Sequence, residues 1–384
     1  MTLNVQLEKL AAFGPVPYPV VSLYLNAQPG PTGRDQYQTF IRKEFAARSR
    51  TYPSASPDRE SLDRDLERIT RYLDMELQPS ANGVAIFACS AGELFESVQL
   101  GAPIEHNWLY IGDAPHLYPL ARLESQYPRY AAVVADTNSA RIIVVATGEV
   151  VAEQEIKGVK TKRNSQGGWS QARFQRHIEN FHLQHAKEVV DALEQIVQRE
   201  GIQQIILAGD EVIIPLLREQ MSKQLAEKIV DHVRLDTSAP LDDVLKTTLG
   251  AMKRLNERTD KEKVETAVGA FRAGGLGVVG PESTFDALIK GQVDELLVSA
   301  NVRGMHGSSA SRVLAAANDA GLLTEPAVDT TSAGEAAEND PQVIRLIDEL
   351  ITKATQTGAV ITFIEDASLL SRYGGVAALL RFRI

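Results

Sequence analysis

The chain is poor in cysteine and has no long apolar run. Its 384 residues include a single cysteine, Cys89, which excludes an intrachain disulfide and a cysteine-based zinc cluster. No stretch approaches the roughly 18–20 apolar residues that cross a bilayer, and the first residues do not follow the pattern of a secretory signal. We therefore expect a cytoplasmic protein without a membrane span.

Two catalytic signatures are missing from the sequence. It has neither a Gly-x-Ser-x-Gly nucleophile elbow nor a Gly-Lys-Ser/Thr phosphate loop, so serine-hydrolase and nucleoside-triphosphatase activities lack support.

Acidic residues outnumber basic ones. With 50 acidic and 40 basic residues, the net charge is -10 at pH 7. This balance disfavours a protein that coats nucleic acid with its whole surface, but it leaves room for one basic patch directed at RNA.

Hydrophobic patterning predicts an α/β protein with three domains, at residues 1–125, 126–265 and 266–384. In the first domain, strands are predicted at 19–27, 83–89 and 107–113, and charged helices at 35–48 and from 57 onward. In the second domain, three strands are predicted at 129–136, 140–148 and 149–158, followed by a helix over 173–199, a strand at 203–210 and helices near 211–224 and 241–257.

A charged helical stretch at 256–270 leads into the third domain. Strands are predicted there at 275–279, 294–300, 359–366 and 376–384, with helices at 281–291 and 341–355. The small and acidic segment 331–341 indicates a solvated loop, and the small, polar segment 301–312 indicates a surface loop.

A local inversion of charge marks residues 157–178, KGVKTKRNSQGGWSQARFQRHI. This segment holds six Lys or Arg residues and no acid, which suits a phosphate-rich partner. Trp169 is suited to stack on a base, and the glycines Gly167 and Gly168 permit a tight turn close to a ligand. On composition alone, the favoured interpretation is a plain surface loop with Ser170 as the N-cap of the following helix.

The order of these features resembles a known family. GGWSQARF before a long helix is similar to the Gly-Gly-Gln loop of the class I peptide chain release factors of eukaryotes and archaea. The matching residues are Gly167, Gly168, Ser170, Arg173 and Phe174. LGVVGPESTFDALIKGQVDELLVSA and TGAVITFIEDASLLSRYGGVAALLRFRI resemble that family's C-terminal domain, so the resemblance covers roughly 128–384. It extends to the bacterial and archaeal branch of release-factor-like and Pelota-like proteins, including Vms-type factors.

The resemblance implies a fold, a function and a set of site residues. The middle domain is expected to be ribonuclease-H-like and the last a ribosomal-protein-like α/β/α sandwich. The implied function is action on peptidyl-tRNA at stalled ribosomes, for peptide or tRNA release. The expected partners are the ribosome and tRNA, with a translational GTPase as a candidate partner, and no cofactor or metal is expected. Gly167 and Gly168 would shape the loop tip and Gln171 would orient water in catalysis. The implied RNA-binding residues are Lys160, Lys162, Arg163, Trp169, Arg173 and Arg176.

Two departures from the family pattern keep alternatives open. Trp169 occupies the position of the family's catalytic glutamine, and Gln171 is the nearest downstream amide. The first domain lacks the motifs that read stop codons, so codon-directed termination is disfavoured. The alternatives are a non-hydrolytic, Pelota-like protein that binds stalled ribosomes, and an RNA-binding stress module without ribosome contact.

Two further patterns are weaker. GLGVVG at 275–280 matches the Gly-x-Gly-x-x-Gly fingerprint, but its glycines lie within a predicted strand, so we expect a strand and turn instead of a dinucleotide site. His177, His182 and His185 lie close together on the long helix without an accompanying carboxylate or cysteine pattern. A solvated or partly packed helix face is the favoured interpretation, with RNA contact and a zinc site as the alternatives.

Overall fold

The protein is described by a computed structural model over residues 3–29, 37–157, 171–301, 307–323, 331–334 and 340–383, without the side chains of 171–177, 307–308 and 332–334. It is a mixed α/β protein with three sheets, as predicted. Two compact units are present: one combines residues 1–126 with 257–384, and the other spans 127–256. The sheet that contains β1 (Val20–Asn26) and the sheet that contains β14 (Val376–Leu380) lie within the same unit.

The N-terminal sheet is antiparallel and has the order β12-β4-β1-β2-β3. Its strands are β1 (Val20–Asn26), β2 (Gly83–Cys89), β3 (Leu94–Leu100), β4 (Trp108–Gly112) and β12 (Thr331–Gly334), and its helices are α1 (Leu3–Ala11), α2 (Tyr37–Ser49), α3 (Pro57–Met75) and α4 (Tyr118–Gln126). The sequence starts α3 locally, because Pro57 occupies its first turn and the Ser56 side chain accepts a hydrogen bond from the backbone N–H of Arg59. Leu62 and Ile69 on the buried face of α3 pack against the sheet.

One prediction for this sheet was wrong. The segment 331–341 was expected to be a solvated loop, but Thr331–Gly334 forms the edge strand β12, with Thr331 opposite Ile111 and Gly334 opposite Trp108. Four small residues with no apolar alternation carry no local strand signal. Here the backbone hydrogen bonds offered by the neighbouring strand β4 decide the conformation.

The middle unit contains the strands β5 (Tyr130–Ala135), β6 (Ser139–Ala146), β7 (Glu149–Lys157), β8 (Gln204–Gly209) and β9 (Ile229–Val233) in the order β7-β6-β5-β8-β9. The first three are antiparallel to one another, whereas β8 and β9 continue parallel to β5. The helices are α5 (Gln171–Glu200), α6 (Ile213–Gln220), α7 (Lys223–Ala226) and the first half of α8 (Leu241–Arg272). This is the ribonuclease-H-like arrangement that the resemblance implied.

Both faces of the middle sheet are covered. On one face, Val133 and Leu207 pack with residues of α5 such as Leu193. On the other face, Val134 and Ile206 pack with residues of α8. Residues on both faces are fully buried. Burial of each such aliphatic side chain stabilises the folded protein by about 1.5–3 kcal/mol. Strands that are buried on both faces are therefore continuous apolar runs in the sequence.

The C-terminal sheet has the order β10-β14-β11-β13, with strands β10 (Gly277–Val279), β11 (Val293–Ser299), β13 (Val360–Ile364) and β14 (Val376–Leu380). Its helices are the second half of α8, α9 (Pro281–Ile289), α10 (Gly307–Asp319) and α11 (Pro341–Gln356). Val264 and Val268 of α8 pack on one face, and Leu288 of α9 and Leu350 of α11 belong to the core on the other face. The result is the predicted α/β/α sandwich.

Two helix predictions need correction. The helices expected at 241–257 and 256–270 are one continuous helix, α8, because its buried stripe passes from Val244 and Met252 to Val264 and Val268 without a helix-breaking residue between them. The predicted surface loop 301–312 contains the start of α10 at Gly307. Ala310 and Leu314 bury the inner face of α10, and this tertiary burial stabilises a helix that the small, polar sequence alone does not predict.

Candidate nucleic-acid interface

Strand β7 leads into the basic segment from the edge of the middle sheet. Its only partner among the described strands is β6, and its last residue, Lys157, lies opposite Ser139, where β6 begins. Ser139 follows the turn after β5. Strand β7 therefore ends at the edge of the sheet where β5 ends, which is also the carboxyl edge of the parallel strands β8 and β9. In open α/β sheets, this edge is where ligands commonly bind.

Helix α5 begins within the basic segment, at Gln171, and is packed into the core farther along. The helix has 30 residues and is therefore about 45 Å long. Among its described side chains, which start at Ile178, the buried ones begin at His185 and Ala186 and continue to Val197, whereas those of 178–184 are half-buried or exposed.

The packed end of α5 is tied to the opposite edge of the sheet. An ion pair joins Glu200, its last residue, to Arg129, directly before β5. Helix α5 consequently runs antiparallel to β5, and its N-terminus extends past the carboxyl edge of the sheet. A helix N-terminus attracts anions, and the first turn of α5 holds no acidic residue that would compete.

The predicted site residues belong to the segment between these anchors. Gly167, Gly168, Trp169, Lys160, Lys162 and Arg163 lie outside the described residues. Gln171 is the first residue of α5, and Arg173 and Arg176 are in its first two turns, but their side chains lie outside the description. The helix was predicted from Arg173 and begins two residues earlier. The roles proposed for these side chains stay predictions.

Lys157 is the one basic residue of the segment whose side chain is described. It is 74% exposed and pairs with Glu155, which is 54% exposed, at 3.1 Å. A surface pair of this kind is worth at most about 1 kcal/mol, so the lysine can exchange it for a phosphate at little cost.

At the carboxyl edge of the sheet, Asp136 is the centre of a hydrogen-bond network that the sequence analysis did not predict. The carboxylate of Asp136 accepts hydrogen bonds from the backbone N–H groups of Asn138 and Ser139 and from the hydroxyls of Ser139 and Thr237. Burial acts to raise the pKa of Asp136, but these hydrogen bonds outweigh it and lower the pKa. A carboxylate with these hydrogen bonds has a structural role and is a poor proton acceptor. The hydrogen bond from Thr237, 101 positions away in the chain, is what distinguishes Asp136 from an ordinary turn residue.

The neighbouring strand β8 ends with a glycine, Gly209, at the same carboxyl edge of the sheet. Gly209 has φ +154, and a Cβ there would lie 2.1 Å from the carbonyl oxygen of Ala135. The next residue, Asp210, accepts hydrogen bonds from the backbone N–H groups of Val212 and Ile213 at the start of α6. Gly209 therefore allows β8 to pack closely against β5, and Asp210 caps the start of α6.

The histidines of α5 divide between surface and core. His185 is 3% exposed, and neither of its ring nitrogens has a hydrogen-bond partner among the described residues, while His182 is half-buried. In the described part of the chain, no group of three or more His, Cys, Asp or Glu side chains is arranged to hold a metal ion. His177 lies outside the described side chains.

The Gly-x-Gly-x-x-Gly match is explained by packing. Gly277 is the first residue of β10, and a Cβ there would lie 2.3 Å from the carbonyl oxygen of Ala267 in α8. Gly280 has φ +90 and is the N-cap of α9. These glycines allow close contact between a strand and a helix and a sharp turn between them.

No helix among the described residues combines the length and the apolar character needed to cross a bilayer.

Comparison with known proteins identifies sequence relatives. The family model described as "Bacterial archaeo-eukaryotic release factor family 10" matches residues 115–253, which include the whole middle unit up to α8 and the basic segment. Peptide chain release factor subunit 1 of Methanobrevibacter smithii is 24% identical over 308 residues, which cover 73% of this chain and 72% of the relative. The protein of the same name from Thermoplasma acidophilum is 24% identical over 370 residues, with 89% and 86% covered.

Among solved structures, S. cerevisiae Dom34, described as a translation termination-like factor, is similar at 13% identity and a TM-score of 0.41, with 79% of each chain covered. Residues 115–253 therefore resemble the bacterial archaeo-eukaryotic release factors, and most of the chain is similar in sequence to two proteins named peptide chain release factor subunit 1.

Proposed function

We propose that this protein is a ribosome-associated, release-factor-like protein that acts on peptidyl-tRNA at stalled ribosomes. The observation that carries the proposal is the position of the Gly-Gly-Trp-Ser-Gln sequence between β7 and α5, within the part of the chain that the family model matches. Two curated relatives named peptide chain release factor subunit 1 cover more than two thirds of this chain, which supports the same reading.

The anchors of the basic segment fit an RNA target. It starts at the carboxyl edge of the sheet and leads into a helix whose described side chains at 178–184 are half-buried or exposed. The N-terminus of that helix and the basic residues next to it present positive charge in a chain whose net charge is -10. Lys160, Lys162, Arg163, Arg173 and Arg176 are proposed to contact phosphates, and Trp169 to stack on a base at the acceptor end of tRNA.

The proposed chemistry is hydrolysis of the ester between peptide and tRNA, or cleavage near the tRNA end. Gly167 and Gly168 shape the tip, and Gln171 orients water toward the scissile bond. Such a reaction is accelerated by positioning and by hydrogen bonds to the developing oxyanion, so it requires no His/Asp pair. Gln171 is the first residue of α5, so its backbone is held by a helix. A side chain that positions water needs a backbone held in place in this way. A translational GTPase is proposed to deliver the protein to the ribosome.

One observation favours a second candidate function. Trp169 occupies the position of the family's catalytic glutamine. A bulky indole there fits a Pelota-like protein that binds stalled ribosomes without hydrolysing the ester.

The deciding experiment combines ribosome pelleting with a gel that resolves peptidyl-tRNA. We expect the wild-type protein to pellet with stalled ribosomes and to release the peptide or the tRNA. Gln171→Ala should pellet equally and release about a hundredfold more slowly, the usual cost of one lost oxyanion donor. Gln184→Ala is the matched control, because Gln184 is an exposed amide on the same helix.

Other outcomes separate the alternatives. Pelleting without release by the wild-type protein would establish the non-hydrolytic function. Binding to free RNA without pelleting at low salt would show an RNA-binding module that does not engage the ribosome. Equal release by Gln171→Ala and the wild type would remove Gln171 from the mechanism.

A further inference from the structure

A cleft of about 220 Å³ lies in the unit formed by 1–126 and 257–384. Its apolar lining includes Leu10, Phe13, Leu117 and Leu322. Its polar lining comes from β4 with the residues that follow it and from α11. A cleft with an apolar wall and a few polar groups has the usual construction of a small-molecule site.

Three carboxylates line the cleft, those of Asp113, Asp348 and Glu349, and the first to consider is Asp348. Asp348 accepts hydrogen bonds from the backbone N–H groups of Leu117 and Tyr118, and its other oxygen lies 2.5 Å from Nδ1 of His116. Its charge and its lone pairs are therefore engaged within the protein.

Glu349 has two cations of its own helix one turn away on either side, and both also line the cleft. Burial raises the pKa of Glu349, while Lys353 and Arg345, one turn after and one turn before it on α11, act to lower the pKa. This arrangement places two cations beside one carboxylate, in the i,i+4 spacing at which oppositely charged side chains attract.

Asp113 is the carboxylate that lacks such compensation. It is 8% exposed, and its side chain has no hydrogen bond or ion pair in the described part of the chain. Because Asp113 lines the cleft, its carboxylate is available to a cation that enters the cleft. The sequence gives no signal for this, because an aspartate after a strand is an ordinary turn residue.

A phenol accompanies Asp113 in the cleft wall. Tyr110 is 4% exposed, and burial, followed by the charges of Asp348 and Asp113, raises its pKa well above the usual value. Tyr110 therefore keeps its proton, and its oxygen is a neutral acceptor near the carboxylates. Gly112 makes room for the ring, since a Cβ there would lie 2.8 Å from Cε1 of Tyr110.

We propose that this cleft binds a small organic cation, a primary ammonium group on a short alkyl chain. The ammonium group donates hydrogen bonds to the Asp113 carboxylate and the Tyr110 oxygen, and the alkyl chain lies against Leu10 and Leu117. A bare metal ion fits less well, because no three metal-ligating side chains in the described part of the chain converge on one point. The amine can come from a free alkylamine or from a lysine side chain of another protein.

The experiment is calorimetric titration of the full chain with three probes of the same shape: pentylamine, 1-pentanol and pentanoate. We expect pentylamine to bind at least about tenfold more tightly than the other two, as a charge-assisted hydrogen bond provides. Asp113→Asn should weaken pentylamine binding at least about tenfold, and Glu105→Gln, which changes an exposed carboxylate a few residues earlier, should leave it unchanged. N-acetyl-lysine amide distinguishes the two sources of the amine. If it binds as tightly as pentylamine, the ligand can be a lysine side chain of another protein, and if only pentylamine binds, the ligand is a free alkylamine.

Tyr110→Phe provides an independent test in case Asp113→Asn does not fold, because it removes only the hydroxyl. It should weaken pentylamine binding severalfold without weakening any binding of pentanol. Equal binding of amine and alcohol, tighter binding of pentanoate, or no binding of the amine at millimolar concentration would overturn the proposal. None of these results depends on ribosomes, so failure here is separate from failure of the proposed function.

Discussion

His116 and Asp348 are 232 positions apart in the chain, and a 2.5 Å contact joins Nδ1 of the histidine to Oδ2 of the aspartate. Both are buried, with exposed fractions of 1% and 9%. The rings of Trp108 and Tyr110 lie 4.6 and 4.7 Å from the imidazole, measured between ring centroids. The pair connects the segment after β4 with helix α11 inside one compact unit.

Removal of this carboxylate should destabilise the protein strongly. In Asp348→Ala, the imidazole and the backbone N–H groups of Leu117 and Tyr118 lose their acceptor while they remain buried. We expect the free energy of unfolding to fall by about 3–5 kcal/mol in urea denaturation followed by circular dichroism. Asp294→Ala is the control: its pair with Arg381 is exposed and should cost at most about 1 kcal/mol. A similar loss in both variants would contradict this account of the buried pair.

Asp65 should make stability depend on pH. It is fully buried on α3, one oxygen accepts a hydrogen bond from the Ser90 hydroxyl, and the other oxygen has no partner among the described residues. Burial raises the pKa of Asp65 to about 6. Since the pKa is higher in the folded than in the unfolded state, the group's contribution to stability is full below about pH 3.8 and is lost as pH rises through about 6.

Asp65→Asn removes this titration. Relative to the wild type, the variant should gain stability between pH 4.5 and pH 7.5, by at most about 3 kcal/mol, as measured by urea denaturation at both pH values. Asp74→Asn, an exposed position on the same helix, should show no such change with pH. A stability difference between Asp65→Asn and the wild type that is the same at both pH values would show that Asp65 has an ordinary pKa.

Gly209 should not tolerate a side chain. Its φ of +154 and the 2.1 Å approach of a Cβ to the Ala135 carbonyl oxygen require β8 to move away from β5 in Gly209→Ala. We expect a loss of at least about 2–3 kcal/mol in thermal unfolding. Gly250→Ala in α8 is the matched control in the same unit, because its Cβ would meet only the end of Arg254 at 3.6 Å. That variant should be unchanged or up to about 1 kcal/mol more stable, and equal losses in the two variants would refute the packing argument.

The basic segment should bind ribosomes with a strong dependence on salt. The double variant Lys162→Ala, Arg163→Ala is expected to weaken pelleting at every salt concentration and to lower the slope of log affinity against log salt by about 1–2. Lys187→Ala, an exposed lysine farther along α5, is the control and should leave both quantities unchanged. An unchanged salt slope in the double variant would remove these two residues from the phosphate contacts.

Regular patterns over many residues made much of the fold predictable. The apolar runs at 83–89, 129–136 and 203–210 became central strands, and the 3.6-residue stripe on α5 became its buried face. The segments without a local pattern were the ones predicted incorrectly. Strand β12 has four small residues, and its conformation depends on β4, more than 200 positions earlier in the chain.

By itself, the sequence determined most of the strands and helices, the basic segment and the resemblance to release factors, because these depend on neighbouring residues and on motifs that can be read along the chain. Only the tertiary structure decided that Asp348 meets His116, that Thr237 holds Asp136 and that Asp113 is buried in the wall of a cleft. The physical reason is that burial and hydrogen-bond partners are set by residues distant in the chain, whose approach is fixed by the packing of whole sheets and helices.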